Sequence, residues 1–327
     1  MQILVTGATG FIGSKLCMAL AGSGNKVHAL CRNVNSSLLP VHKNIHPYRG
    51  DLLDKRSLSE AMQGCRHVYH TAALAKMWVR KKTEFHHINV TGTKNVMETA
   101  IECNVEKLVH TSTCGVWGPV LKHPVTEEDP RITGFPIDYE RTKYLAELEV
   151  NAAVKKGLRA VIVNPSRVYG EGPVTEGNIV GRMVQAYLQG RWHVNPAKGL
   201  QVSNYAYVND VVQGHIAAMQ KGVAGHRYIL GGEDISFNHF FFMLQKVSGI
   251  HRMLFKVPQQ YIQAYSYFEA FKTAVTGLPP VLLPAVAERL KYNQRYSSAK
   301  AIQQLDYTIT PFANAFKKTV QYLQHAK

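Results

Sequence analysis

Gln2-Ile3-Leu4-Val5-Thr6-Gly7-Ala8-Thr9-Gly10-Phe11-Ile12-Gly13-Ser14-Lys15-Leu16 opens the chain and decides how the rest is read. A short apolar burst ends in three glycines spaced three apart, and a helical pattern begins at the third. Gly7 permits a tight turn, Gly10 lets the backbone approach a pyrophosphate, and Gly13 lets helix and strand pack closely. The helix N-terminus adds unbonded N–H groups and a partial positive charge. A glycine triplet alone is weak evidence, but flanked by a strand and a helix it implies a dinucleotide site. The burst is too short for a secretory signal and reads as a buried first strand.

Outward from this turn, apolar runs alternate with amphipathic stretches. Strands are predicted at Gln2–Thr6, Lys26–Cys31, Ile45–Arg49, His67–Thr71, Lys107–Thr111 and Arg159–Val163, and the main helices at Gly13–Ala21, Glu84–Asn104 and Tyr139–Lys156. Strict alternation implies an α/β fold: a doubly wound parallel sheet covered on both faces. After Pro165 the rhythm fails, and Gly170-Glu171-Gly172-Pro173 marks a loop. Residues 1–165 and 199–222 are therefore assigned to a dinucleotide-binding domain. Residues 166–198 and 223–327 are assigned to a smaller, mostly helical substrate lobe.

The 327 residues carry 38 Lys+Arg against 22 Asp+Glu, a net charge of +16. The excess is spread along the chain. Its densest knot, Lys76, Arg80, Lys81 and Lys82, lacks the glycine and aromatic pattern of RNA-binding segments, so a solvated basic surface is expected rather than a nucleic-acid site, with an anionic membrane surface or an anionic substrate and cofactor as the alternatives. The stretch Thr273–Ala287 lacks charge for 15 residues but holds three prolines, too short and too broken for an integral membrane span. Five cysteines without a C-x-x-C pair, and scattered histidines, indicate neither disulfides nor a metal site. A cytoplasmic location is expected.

The spacing G-x-x-G-x-x-G, and Thr6-Gly7-Ala8-Thr9-Gly10-Phe11-Ile12-Gly13 in particular, resembles the extended short-chain dehydrogenase/reductases, which have a Rossmann fold. Other segments match that family in order. At the end of the second strand, Cys31-Arg32 stands where NAD-dependent sites usually carry a carboxylate, so a 2′-phosphate is not repelled and Arg32 can pair with it. NADP is expected, with NAD the lesser alternative. Gly50-Asp51-Leu52 matches the segment whose Asp accepts from the adenine amino group, and Thr71-Ala72-Ala73-Leu74 the small residues beneath the cofactor. Asn164-Pro165-Ser166-Arg167-Val168 resembles the segment beside the nicotinamide. The resemblance implies that the cofactor meets Gly7, Thr9, Gly10, Phe11, Ile12, Gly13, Arg32, Asp51, Leu52, Ala72, Ala73, Leu74, Thr111, Tyr139, Lys143, Pro165 and Val168.

Tyr139-Glu140-Arg141-Thr142-Lys143 is a Y-x-x-x-K, placing the two side chains one helical turn apart on one face. A Lys ammonium there favours tyrosinate and is expected to lower the Tyr pKa by about three units, roughly 4 kcal/mol. With 16 tyrosines such a match arises by chance, and the chain holds a second, Tyr296-Ser297-Ser298-Ala299-Lys300. Tyr139 follows the fifth strand as the family motif does, so Tyr296 is treated as a decoy. Thr113, four residues before Trp117, falls on the family's substrate-positioning hydroxyl, with Ser112 the weaker choice. Asn89 matches the Asn that supports the Lys through backbone and water. Cys114 lacks a base in the sequence and is read as a packing residue.

Within the extended branch the chain resembles dihydroflavonol-4-reductase-like and hydroxysteroid-dehydrogenase-like members. This implies an NADP-dependent reductase of a small ketone or aldehyde, acting through Thr113, Tyr139, Lys143 and Asn89. A nucleotide-sugar epimerase or dehydratase is the first alternative, and a nonenzymatic redox-sensing protein the second. Nucleotide-sugar members resemble one another at R-[DE]-[YF]-x-H-V-x-D, where the Arg clamps the diphosphate. Here that Arg position holds Ser203, and Asn204 falls on the Asn of the reductases. Arg182 or Arg191 remains as a substitute charge. A homodimer is expected through helices Glu84–Asn104 and Tyr139–Lys156, with Val96, Ile101, Leu145, Leu148 and Val150 as the apolar contacts.

Overall fold

The computed structural model describes residues 1–119 and 123–325. Strands β1 (Gln2–Thr6), β2 (Lys26–Cys31), β3 (Ile45–Arg49), β4 (His67–His70), β5 (Lys107–Thr111) and β6 (Ala160–Pro165) form where the apolar runs place them. Helices α1 (Phe11–Gly22), α2 (Lys55–Met62), α3 (Thr83–His86), α4 (Gly92–Glu102) and α5 (Asp138–Lys155) connect them. With β10 (Arg227–Leu230), and among the described residues, they make a seven-stranded parallel sheet ordered β10-β6-β5-β4-β1-β2-β3.

Side chains alternate along each strand, so the sheet has two cores. Val5, Val109 and Val163 pack with α1 on one face. Leu4, Leu108 and Ile162 pack with α2, α4 and α5 on the other. The strand order reverses between β1 and β4, which opens a crevice at their carboxyl ends.

Two domain boundaries differ from the sequence expectation. β10 lies in the 223–327 segment assigned to the lobe, yet it pairs with β6 from Arg227↔Ile162 to Leu230↔Pro165. Its Tyr228, Ile229 and Leu230 are fully buried; a four-residue run is too short to announce a return to the sheet. Conversely, β9 (Val202–Tyr207), expected in the dinucleotide domain, pairs with β7 (Arg167–Tyr169) and antiparallel with β11 (Glu233–Ser236) in a separate sheet. From that segment, α7 (Val208–Lys221) packs on the parallel sheet, and α11 (Ala299–Leu305) packs on α7.

The lobe centres on α6 (Ile179–Leu188), α8 (Phe237–Ser248) and α12 (Phe312–His325) around an aromatic core. Phe316 stacks on Phe312 at 4.7 Å and meets Phe240 at 4.8 Å. Beside it, β8 (Val194–Pro196) pairs with β12 (Phe255–Val257), flanked by α9 (Gln259–Thr276) and α10 (Pro284–Arg289). Ala326 and Lys327, the end of the expected lobe, lie outside the described residues.

The helix expected over Glu84–Asn104 is interrupted by a π-helical turn at His87–Thr91. Such turns insert one residue and rotate the remainder of the helix about its axis. Here the turn carries Asn89, which is 1% exposed, into the sheet side of the helix.

Candidate active site

The glycine turn is as tight as its sequence implies. Gly7 has φ +73°, and a Cβ there would sit 2.7 Å from the Ala72 nitrogen. A Cβ on Gly13 would sit 2.1 Å from the Gly7 carbonyl oxygen. No side chain caps α1 at Gly10, so its first-turn N–H groups remain available to an anion. These features fit a dinucleotide pyrophosphate. At the end of β2, Cys31 is buried and Arg32 is exposed.

A cavity of about 1430 Å³ runs from this turn to the lobe. On its wall stand Gly7, Thr9, Gly10, Phe11, Ile12, Gly13, Arg32, Ala73, Leu74, Thr111, Thr113, Tyr139, Pro165 and Val168. Thr113 Oγ1 accepts from the Gly115 N–H at 3.2 Å and caps the short turn Cys114–Val116. Its own O–H is left to donate into the cavity. Ser112 also reaches the wall, but it is 5% exposed and its Oγ is shut off from solvent. Cys114 donates to the Asn164 carbonyl at 3.1 Å, and burial raises its thiol pKa well above the usual value. That is a packing thiol.

Asp51, Leu52, Ala72, Asn89 and Lys143 are not on this wall. Asp51 Oδ1 accepts from the Leu53 N–H at 2.9 Å. Leu52 is core, and Asn95 donates to its carbonyl at 2.9 Å. Ala72 packs partly buried beneath the glycine turn, its N–H 3.3 Å from Thr6 Oγ1. The Asn89 side chain is taken up by Leu74 and Thr142. Its Oδ1 accepts from the Leu74 N–H at 2.7 Å, and its Nδ2 donates to Thr142 Oγ1 at 3.0 Å. The π turn thus makes Asn89 a brace for the Leu74 backbone.

Tyr139 and Lys143 both project from the start of α5, but the expected ammonium–phenol contact is replaced. Lys143 Nζ donates to His110 Nε2 at 3.2 Å and is 1% exposed. Burial brings its pKa down to about 8. Burial, reinforced by the Glu140 carboxylate, raises that of Tyr139 to about 12. The expected lowering of the phenol is therefore not seen, because desolvation outweighs the nearby charge. His110 in turn lies 5.1 Å from His70, ring to ring. His70 Nδ1 is 2.7 Å from Thr6 Oγ1 and its Nε2 is 3.0 Å from Thr93 Oγ1. Burial and the Lys143 charge hold both imidazoles neutral.

A sequence model of the NAD dependent epimerase/dehydratase family matches residues 3–231. The chain belongs to that family. This epimerase/dehydratase-family protein is 31% identical to sterol demethylase protein B of Methylococcus capsulatus over 80% of its own length and 79% of the relative's. It is 30% identical to a protein provisionally named dihydroflavonol 4-reductase in Synechocystis, across 98% of this chain and 94% of that one. The crystal structure of gox2253 superposes with a TM-score of 0.84 at 29% identity, covering 98% and 97% of the two chains. Among its relatives are proteins named as reductases and dehydrogenases, and the family is one of nicotinamide-dependent enzymes.

Several wall residues of this family member are not legible in its sequence. Tyr296, treated there as a decoy, is 8% exposed on the cavity wall and bridges to Val125. The Y-x-x-x-K there is indeed no pair, since α11 starts at Ala299 and Lys300 lies over the Tyr228 ring. Beside Tyr296, the buried Glu140 carboxylate is held by Arg289 and, at 3.5 Å, by Arg131. Arg289 also donates to Gln294 at 2.9 Å. Nothing local marks these residues, which come from two distant segments. Ser203 is 2% exposed and exchanges hydrogen bonds with Gln201 away from the cavity. Asn204 is on the wall but donates to the Gly232 carbonyl and Asp234, at 2.8 Å each. Of the two substitute charges, Arg191 lines the cavity and Arg182 does not. In the basic knot, Lys76 pairs with Glu176 at 2.8 Å and Lys82 with Asp138 at 3.6 Å. Val96 and Val150, expected at a dimer interface, are fully buried in the protomer's own core. Leu148 remains 45% exposed.

Proposed function

We propose that the protein is an NADP-dependent reductase, or in reverse a dehydrogenase, acting on the ketone or aldehyde of a small lipophilic substrate. The observation that carries this reading is the convergence of the Thr113 and Tyr139 hydroxyls on the cavity that also receives the glycine turn. When bound, the nicotinamide supplies or accepts the hydride. Thr113, its oxygen already accepting from Gly115, donates to the substrate oxygen and fixes its position. Tyr139, kept protonated at neutral pH by burial, hands its proton to that oxygen as negative charge develops there. Lys143, one turn away, supplies the positive charge that favours the resulting tyrosinate. Asn89 holds Leu74, and with it the floor under the cofactor.

Arg32 at the end of β2, with Cys31 in place of a carboxylate, supports NADP over NAD. Trp192, Met183, Val257, Ile262 and Tyr265 on the lobe side support an apolar substrate. Sterol and flavonol names among the relatives agree with that class. Leu148, with half-buried Ile101 and Leu145, supports pairing of two copies through α4 and α5. Cysteines that form no disulfide among the described residues support a cytoplasmic setting; no helix there is long and apolar enough to cross a membrane.

The epimerase reading survives on Arg191, a cation on the cavity wall. A thermal-shift titration separates the two. Stabilisation by NADP and none by UDP- or TDP-sugars is expected, followed by NADPH oxidation with members of a ketone and aldehyde panel. A clear shift with a nucleotide sugar at sub-millimolar concentration would reverse the assignment.

A further inference from the structure

Helix α9 is built inside out. Its buried stripe, Ile262, Ser266 and Glu269, includes a hydroxyl and a carboxylate. Glu269 accepts from Lys272 Nζ at 2.6 and 2.7 Å and from the Val281 N–H at 2.8 Å. The opposite stripe, Ala264, Phe268, Phe271 and Val275, recurs at helical spacing and faces outward; the last three are 61%, 68% and 70% exposed. A helix on a water-facing surface has the reverse arrangement. Single exposed apolar residues are ordinary, but a continuous apolar stripe marks a surface that is covered in use.

Charge identifies the cover. Between Asp234 and Glu288 the sequence contains a single carboxylate, Glu269, against Lys246, Arg252, Lys256 and Lys272. Because Glu269 is turned inward, this face offers the solvent apolar groups and, from the strand that leads into α9, the exposed Lys256. At its edge, on α10, the Glu288 carboxylate is already taken by Lys291 at 2.6 Å, so two copies of the face would bring like charges together with no unpaired carboxylate to offset them. An anionic bilayer surface complements both features. The cavity also opens here: Tyr261, Tyr265 and Val281 line it and are themselves 61%, 45% and 75% exposed.

We propose that the α9 face seats on an anionic membrane surface, with the cavity mouth turned towards the lipid. The docking stands on the surface alone. That a lipophilic carbonyl compound enters by this mouth rests on the reductase reading. The test is flotation of the whole protein with phosphatidylcholine vesicles, with and without phosphatidylglycerol. Wild type should float with the anionic vesicles, and F268E/F271E, with unchanged NADP affinity and melting temperature, should bind at least about tenfold more weakly. Absence of wild-type binding, or equal binding by the variant, overturns the proposal. So does a fall of the variant to half the wild-type mass in light scattering without any vesicle binding by wild type, which would make a second copy the cover. Should the double variant misfold, Phe271→Trp decides: brominated lipid should quench it beyond the wild-type level, and no added quenching refutes the docking. Vesicle binding without turnover of any carbonyl compound would leave the docking intact and sink the reductase.

Discussion

Replacing Lys143 by Met should abolish turnover and yet make the cofactor-free protein more stable at pH 7. The ammonium is buried, and its hydrogen bond goes to a neutral imidazole, His110, rather than to a carboxylate. Lowering its pKa from 10.5 to about 8 corresponds to about 3 kcal/mol of folding free energy lost to keeping the charge inside. Met fills a similar volume but leaves His110 Nε2 without its donor, a loss of about 1 kcal/mol. The net expectation is a gain of about 2 kcal/mol at neutral pH. Its pH dependence has a definite sign. The folded pKa lies below the unfolded one, so the penalty on the wild type is complete below about pH 8. It fades as the pH rises towards 10.5, and stability increases over that window because the unfolded chain binds the extra proton. The advantage of Lys143→Met should therefore shrink and reverse to a deficit of about 1 kcal/mol at the alkaline end. Urea unfolding of both proteins, followed by circular dichroism at pH 7 and pH 10 without cofactor, measures this directly. Other groups titrate in both proteins and cancel in the difference. A variant less stable than wild type by the same amount at both pH values would refute the argument.

Tyr139→Phe should remove at least about 99% of turnover while leaving NADP affinity within a few fold, since only the phenolic proton is lost; cofactor titration beside steady-state rates checks it. Tyr296→Phe should leave NADP binding unchanged and raise KM for the carbonyl substrate a few fold, because Tyr296 lies on the wall beside Glu140 and Arg289 rather than in the proton path. Arg32→Ala should weaken NADP by about tenfold or more, the loss of one charge-assisted pair, and NAD hardly at all. Equal losses in calorimetry would remove the NADP preference. Gly13→Ala should eliminate cofactor binding or folding, since its Cβ would fall 2.1 Å from the Gly7 oxygen.

The features legible in the sequence are those that depend on neighbours along the chain. Gly7, Gly10 and Gly13 act within one turn, and their spacing carries the backbone geometry. Tyr139 and Lys143 share a helix face for the same local reason. The failures arise where distant segments or main-chain detail decide. Asn89 stands out in the sequence, but its partners depend on a π turn, a shift in backbone bonding that leaves no mark on side-chain periodicity. β10 is too short a run to be distinguished from a lobe strand. Tyr296 and Arg289 meet Glu140 across about half the chain, a contact no motif records.

The phenol's pKa joins these two levels. Sequence spacing correctly brings Lys143 to the face of Tyr139, and that alone would lower the pKa. Packing adds an effect that spacing cannot carry: the first turn of α5 is buried under the lobe, and desolvation raises the phenol while it lowers the amine. The two shifts have consistent consequences for a reductase. A phenol near 12 keeps its proton until an acceptor of comparable basicity appears, and the developing alkoxide of a reduced carbonyl is such an acceptor. An ammonium near 8 is still charged at neutral pH, so its field acts on the tyrosinate once formed. Reduction would therefore hold its rate through neutral pH and fall as Lys143 loses its proton above about 8. Oxidation, which needs the tyrosinate to accept the alcohol's proton, would rise with pH until that same loss.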